Sequence, residues 1–175
     1  MSIKKTMHLS LGKTTIHTYG DCDADTSWIG EYSDSVKPGS IVRQTGEFIE
    51  DLPEDESLPS KGREYRFFHP YAGGEKIGTD DYKKYAKRDF DRMESLNRGQ
   101  WCFIGIEIST EVLTDIGISD IIKESLWGIE SDSDQEYLDA EIINLKTEIR
   151  HRLQKMGFSK KEIDGSLNNA EEVED

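Results

Sequence analysis

Between residues 101 and 112 the chain alternates strictly enough to set the middle of its fold. Cys102, Ile104, Ile106, Ile108 and Val112 fall on one face of a strand, while Trp101, Phe103 and Gly105 on the other face give way to Glu107, Ser109 and Glu111. A strand that starts apolar on both faces and ends apolar on one belongs at the centre of a sheet, fully covered at its start and half exposed at its end. Everything else in the chain has to supply its neighbours and its cover.

The cover comes from helices. Leu138, Ile142, Leu145, Ile149, Leu153 and Met156 recur at helical spacing, and Gly157 follows as a stop. Ser133-Asp134-Gln135-Glu136 reads as the capping box that opens this long helix. A second box, Ser159-Lys160-Lys161-Glu162, opens a last short helix, with Phe158 and Ile163 placed as a hydrophobic staple. Upstream, Thr79 or Asp80 caps a helix whose inner stripe is Tyr82, Tyr85, Ala86, Phe90, Met93 and Leu96, ending at Gly99. A further short helix is expected over 119–127, closed by Gly128.

The remaining strands are shorter signals. Met7-His8-Leu9-Ser10-Leu11 and Thr14-Thr15-Ile16-His17-Thr18-Tyr19 flank Gly12-Lys13 as the arms of a hairpin, which would set His8 across from His17. Residues 20–62 are largely irregular, rich in Asp, Ser, Gly and Pro, with short strands expected at 40–44 and 46–50 and an acidic loop at 50–56. Arg63-Glu64-Tyr65-Arg66-Phe67-Phe68 alternates as a strand that stops at His69-Pro70. The predicted fold is therefore α+β: a mostly antiparallel sheet of the hairpin, the 63–68 strand and the 101–112 strand, with packed helices and a C-terminal helical segment. One domain is expected over 1–169, with 170–175 expected as a disordered acidic tail.

Charge narrows the function. The chain carries 36 acidic and 22 basic residues, a net of −14. Residues 1–100 hold 18 acidic and 15 basic side chains, and residues 101–175 hold 18 and 7, so the excess is concentrated in the C-terminal part. Such a surface repels phosphate backbones and lipid headgroups, so direct nucleic-acid binding and membrane association are disfavoured. The one basic stripe, Lys83, Lys84, Lys87, Arg88 and Arg92, is interleaved with Asp81, Asp89, Asp91 and Glu94 and reads as a solvated helix face. No apolar run approaches the roughly 18 residues of a membrane span, and no signal segment is evident, so a cytoplasmic setting is expected. Two cysteines, Cys22 and Cys102, are too few for a disulfide framework and read as structural.

Catalytic patterns are missing from the sequence. There is no nucleophile elbow, phosphate-cradling glycine loop or dinucleotide fingerprint, and no cofactor is called for. Asp21-Cys22-Asp23-Ala24-Asp25 opens like a calcium loop, but Thr26 and Tyr32 stand where such a loop needs glycine and glutamate. A turn rich in Asp side chains is the simpler reading. The histidines, His8, His17, His69 and His151, have no metal-ligand spacing.

One segment carries a functional signal. Trp127, Glu130, Asp132, Asp134, Tyr137, Asp139 and Glu141 set carboxylates among two large aromatics, the residue types that complement an arginine-rich groove. Folding alone offers another account of several of them, with Trp127 in the core, Asp134 and Glu136 at a helix start, and Ser133 as cap.

The run Leu126-Trp127-Gly128-Ile129-Glu130-Ser131-Asp132-Ser133 resembles a motif that recurs before a C-terminal helix in small, uncharacterised proteins encoded by bacteriophages and prophages. Arg63-Glu64-Tyr65-Arg66-Phe67-Phe68 and Arg92-Met93-Glu94-Ser95-Leu96-Asn97-Arg98-Gly99 resemble further recurring pieces, so the likeness covers residues 63–165. It implies a phage accessory protein that acts in the host bacterial cytoplasm as a non-enzymatic inhibitor of a defence protein, such as a CRISPR effector or restriction enzyme. The charge makes an acidic competitor of nucleic acid, bound to a basic nucleic-acid-binding host protein, the concrete form of that expectation. An enzyme acting on a nucleotide or nucleic acid, and an acidic assembly or adaptor protein, are the other classes left open.

Overall fold

The computed structural model describes residues 8–49, 65–115 and 117–174. Its strands are β1 (Ser10–Gly20), β2 (Gly30–Ser33), β3 (Ile41–Val42), β4 (Phe67–Pro70), β5 (Phe103–Thr114), β6 (Gly117–Glu130) and β7 (Glu171–Glu174). The helices are α1 (Asp80–Asn97), α2 (Gln135–Lys155) and α3 (Lys160–Asn168). The chain divides into two compact units, one of residues 1–24 with 102–175 and one of residues 25–101. The α+β class expected from the sequence is observed, with helices packed against antiparallel-rich sheets.

The first unit holds a four-stranded sheet in the order β6-β5-β1-β7, in which β5 is flanked on both sides, as its alternation predicts. Its even-numbered residues Ile106, Ile108 and Val112 face Ile16 of β1 and Ile122 and Ile129 of β6, and α2 and α3 close this side with Leu145, Ile149, Leu153, Ile163 and Leu167. Phe158 and Ile163 are both buried beside the second capping box, where Ser159 Oγ accepts from the Glu162 N–H and the Glu162 carboxylate accepts from the Ser159 N–H. The box thus gives partners to two backbone N–H groups at that helix start, those of Ser159 and Glu162.

Several expectations fail here for identifiable reasons. The Gly12-Lys13 pair makes no hairpin: β1 runs straight through it, with the irregularity absorbed as a register shift between Leu11 and Thr14 against β5. Gly12 serves close approach instead, since a Cβ there would meet the Glu111 carboxylate at 2.7 Å. His8 therefore does not face His17. Residues 119–127 are strand rather than helix. Their isoleucines satisfy either period, and pairing along β5 from Thr114–Gly117 to Phe103–Glu130 decides the matter. The tail at 170–175 contributes β7, parallel to β1 from Thr15–Glu171 to Thr18–Glu174, with Lys13 Nζ 2.7 Å from the Glu171 carboxylate. An edge strand needs only one partner, so acidic side chains did not prevent it. The first expected capping box also fails: Asp134, not Ser133, occupies the N-cap of α2, and no side chain caps it. Met156 follows the last turn and is exposed rather than part of the apolar stripe.

The second unit has a separate three-stranded sheet, ordered β2-β4-β3, packed by α1. So the strand expected at 63–68 pairs with β2 and β3 and not with β1 or β5, and it continues through His69 and Pro70 rather than stopping there. Pro70 is tolerated because it lies at the end of the ladder, opposite Gly30. Phe68 is fully buried between Tyr32 and Phe90. Thr79 caps α1 by accepting from the Tyr82 N–H, and Tyr82, Ala86, Phe90 and Met93 face inward. Asp89, read as part of the solvated face, is buried and accepts from the Ala72 N–H at 2.8 Å. The expected strands at 40–44 and 46–50 appear as β3 and a bridge between Ile41 and Phe48. The loop at 50–56 and positions 7, 63 and 64 lie outside the described residues.

Candidate interaction surface

Alternation along a strand that buries one face sends the intervening residues to the other. On the sheet of the first unit, that second face carries Thr15, His17 and Tyr19 from β1, Gly105, Glu107, Ser109 and Glu111 from β5, and Lys123, Ser125 and Trp127 from β6. Three aromatic rings cross it in one stack. His17 and Tyr19 are 5.4 Å apart between ring centres and inclined by 8°, and Tyr19 and Trp127 are 6.0 Å apart and inclined by 18°. Trp127 closes the outer end, 49% exposed, with its Nε1–H donating to Ser125 Oγ.

The indole is held by the backbone beneath it. An extra residue in β6 makes a bulge opposite Ile104–Ile106, Gly128 takes φ +76°, and its N–H donates to the Asp21 carboxylate at 2.9 Å. Beside the stack, Lys123 Nζ lies 2.8 Å from the Glu107 carboxylate. The hydrogen bond to Glu107 and its negative charge push the Lys123 ammonium above its ordinary value.

The seven residues singled out from the sequence lie on one strand, turn and helix, but not on one patch. Trp127 belongs to the sheet face opposite α2. Glu130 ends β6, and Asp132 is exposed in the turn that follows, where the Ser133 N–H donates to the Glu130 carbonyl. Asp134, Tyr137 and Asp139 are exposed at the start of α2, with Asp139 accepting from Gln135, and Glu141 is half-buried and accepts from Asn144. The account of Trp127 as a core residue is overturned by its exposure. What the sequence reading missed is the stack itself: His17 and Tyr19 sit two apart on β1, yet their junction with Trp127 depends on Gly105 in the strand between, a pairing visible only in the register.

The Asp21-Cys22-Asp23-Ala24-Asp25 segment is a pair of local turns. Asp21 accepts from the Asp23 N–H and Asp25 from the Ser27 N–H, which holds the Asp25 carboxyl below its ordinary value. Both cysteines, read from the sequence as structural, are exposed free thiols. Among the described residues no helix is long and apolar enough to cross a membrane. In comparisons with protein-family models, curated proteins and solved structures, none matched this chain.

Proposed function

We propose that this chain is a phage-type, non-enzymatic inhibitor of a host defence protein, working in the bacterial cytoplasm and competing with nucleic acid for a basic groove. The observation that carries the reading is a break in the charge pattern. From residue 124 to residue 145 there are seven carboxylates and no lysine or arginine, and this stretch runs from β6 through the turn into α2. Trp127 and Tyr137 stand about half exposed within it.

The chemistry matches an arginine-bearing partner. A guanidinium pairs with a carboxylate through two parallel hydrogen bonds and stacks on an aromatic face, and an exposed indole with a fixed orientation loses little freedom when it is covered. Long-range attraction between the acidic unit and a basic groove accelerates encounter, and the same field turns nucleic acid away.

The direct test is capture from host lysate on the immobilised chain at low and high salt, followed by competition with duplex DNA. A basic nucleic-acid-binding protein, retained at low salt and released by DNA, supports the proposal. Capture that ignores both salt and DNA, or turnover of a nucleotide or nucleic acid by the chain alone, removes it.

A further inference from the structure

We propose that the cleft formed by β1, α3 and the start of β7 binds a small, neutral, polyhydroxylated compound, a monosaccharide or cyclic polyol. The cleft lies wholly within the first unit and has a volume of about 590 Å³, inside the range of roughly 300–1,000 Å³ that holds small ligands. A chain of three hydroxyls runs into it from beneath. Thr14 and Thr110 are opposed across β1 and β5 and both are buried. Thr14 Oγ1 lies 3.0 Å from Thr110 Oγ1 and 2.6 Å from Ser166 Oγ on α3. Three hydroxyls bring three protons, and two hydrogen bonds use only two of them. Left on Thr110 or Thr14, the third would be a buried donor with no acceptor, which is the costly arrangement. The chain therefore donates from Thr110 to Thr14 to Ser166. Ser166, half-buried at the cleft, turns its own O–H outward into it.

Gly165 is an independent sign that the space is kept open. It stands inside α3, where a glycine costs stability relative to alanine. Neither of the usual reasons for that cost applies. Its backbone is not among the positive-φ glycines, and a Cβ built on it would meet nothing within 4 Å. Gly12, on the strand beside it, is the contrast, because there the Glu111 carboxylate fills the place of a side chain. What the missing side chain of Gly165 leaves free is the cleft that this residue lines.

The charges around the cleft choose the class of ligand. Glu162 and Glu171 line it, and its one lysine, Lys13, has its ammonium 2.7 Å from the Glu171 carboxylate. An anion entering there meets two carboxylates and a single ammonium that is already paired. A polyamine suits the carboxylates but carries no acceptor for the Ser166 hydroxyl. A neutral compound with several hydroxyls satisfies both demands, accepting from Ser166 and donating to the acceptors around it. Asn169 supplies one of these, because its Nδ2 donates to the Gly165 carbonyl at 2.7 Å and leaves Oδ1 to accept.

The test is titration of the whole ¹⁵N-labelled chain, followed by amide NMR, with D-glucose, D-galactose, D-mannose and myo-inositol in turn, and with spermidine and glucose 6-phosphate as ionic comparators. The expected result is a saturable shift of the Lys13, Gly165, Ser166 and Asn169 amides with at least one of the four neutral compounds and with neither comparator. Gly165→Leu should weaken that binding about tenfold or more, since its side chain enters the space the ligand needs. Its melting temperature should equal or exceed that of wild type, because leucine is the better helix former. If the leucine variant melts lower, Gly165→Ala makes the same comparison with a smaller group and should weaken binding to a lesser degree. No saturable shift with any of the four, shifts confined to other residues, tighter binding of spermidine or glucose 6-phosphate at these amides, or full-strength binding by both folded Gly165 variants overturns the proposal.

Discussion

Trp127 lies across Gly105, so closely that a Cβ built on Gly105 would stand 2.1 Å from the indole Cε3. The glycine is thus a seat for the ring, and the absence of a side chain on the central strand lets β1 and β6 share one aromatic stack over it. Hydrogen is the only substituent that fits.

Gly105→Ala is therefore expected to lift the indole from Tyr19 and to destabilise the first unit by about 1–3 kcal/mol, the usual range for inserting a methyl where no space exists. Iodide quenching of tryptophan fluorescence, read against Trp127→Phe to remove the signals of Trp28 and Trp101, should increase in the variant. Unchanged quenching together with unchanged melting would mean that the ring does not rest on residue 105.

The limits of the sequence are visible in these same elements. Periodicity located α1, α2 and β5 because each repeats its pattern over three turns or more, or over many alternations, with a clear stop, while the short α3 was legible from its capping box and staple. It misread 119–127 because isoleucines at 118, 121 and 122 fit a helix and a strand equally, and only the partner strand chooses. It joined β4 to the wrong sheet because a four-residue strand carries no information about its neighbours. The acidic half of the candidate surface was legible as charge, whereas the stack was not, since it unites residues 17, 19, 105 and 127 through register alone.

Truncation after residue 169 removes β7 and exposes the backbone edge of β1 beside buried Ile16. The expected loss is roughly 1–2 kcal/mol, the scale of a few cross-strand pairs and one edge, so stability measured by urea denaturation should fall clearly. Leu153→Ala, at a fully buried position between α2 and the sheet, should cost roughly 2–5 kcal/mol. A truncated chain as stable as the whole one would show that β7 does not hold the edge.

The two Ser-x-x-Glu segments should behave differently. Ser159→Ala removes a hydroxyl that caps α3 and should lower the melting temperature, whereas Ser133→Ala should leave it nearly unchanged, because Ser133 caps nothing. The Ser159 hydroxyl and N–H hold the Glu162 carboxyl below its ordinary value of 4.5. A depressed carboxylate stabilises the fold fully above its unfolded value and loses that contribution as pH falls through the folded one. The difference in melting temperature between wild type and Glu162→Gln should therefore be constant near neutrality and shrink below about pH 4.5. A difference that persists at pH 2 would assign the effect to packing.

The proposed inhibitor surface is tested by reversing its charge without touching its fold. Glu130, Asp132 and Asp139 lie at the end of β6, in the turn and on the exposed start of α2, none of them among the buried residues that hold the first unit together. Lysine at all three should leave the melting temperature within a few degrees of wild type, as surface changes usually do. Binding to a basic partner should fall by at least tenfold, because the substitutions replace attraction with repulsion against the same groove. Trp127→Ala tests the opposite sheet face separately: a loss there with the salt dependence retained would place the indole in the interface as an anchor, while the carboxylates set the encounter rate. A folded triple variant that still binds its target at full strength would move the acidic contact away from 124–145.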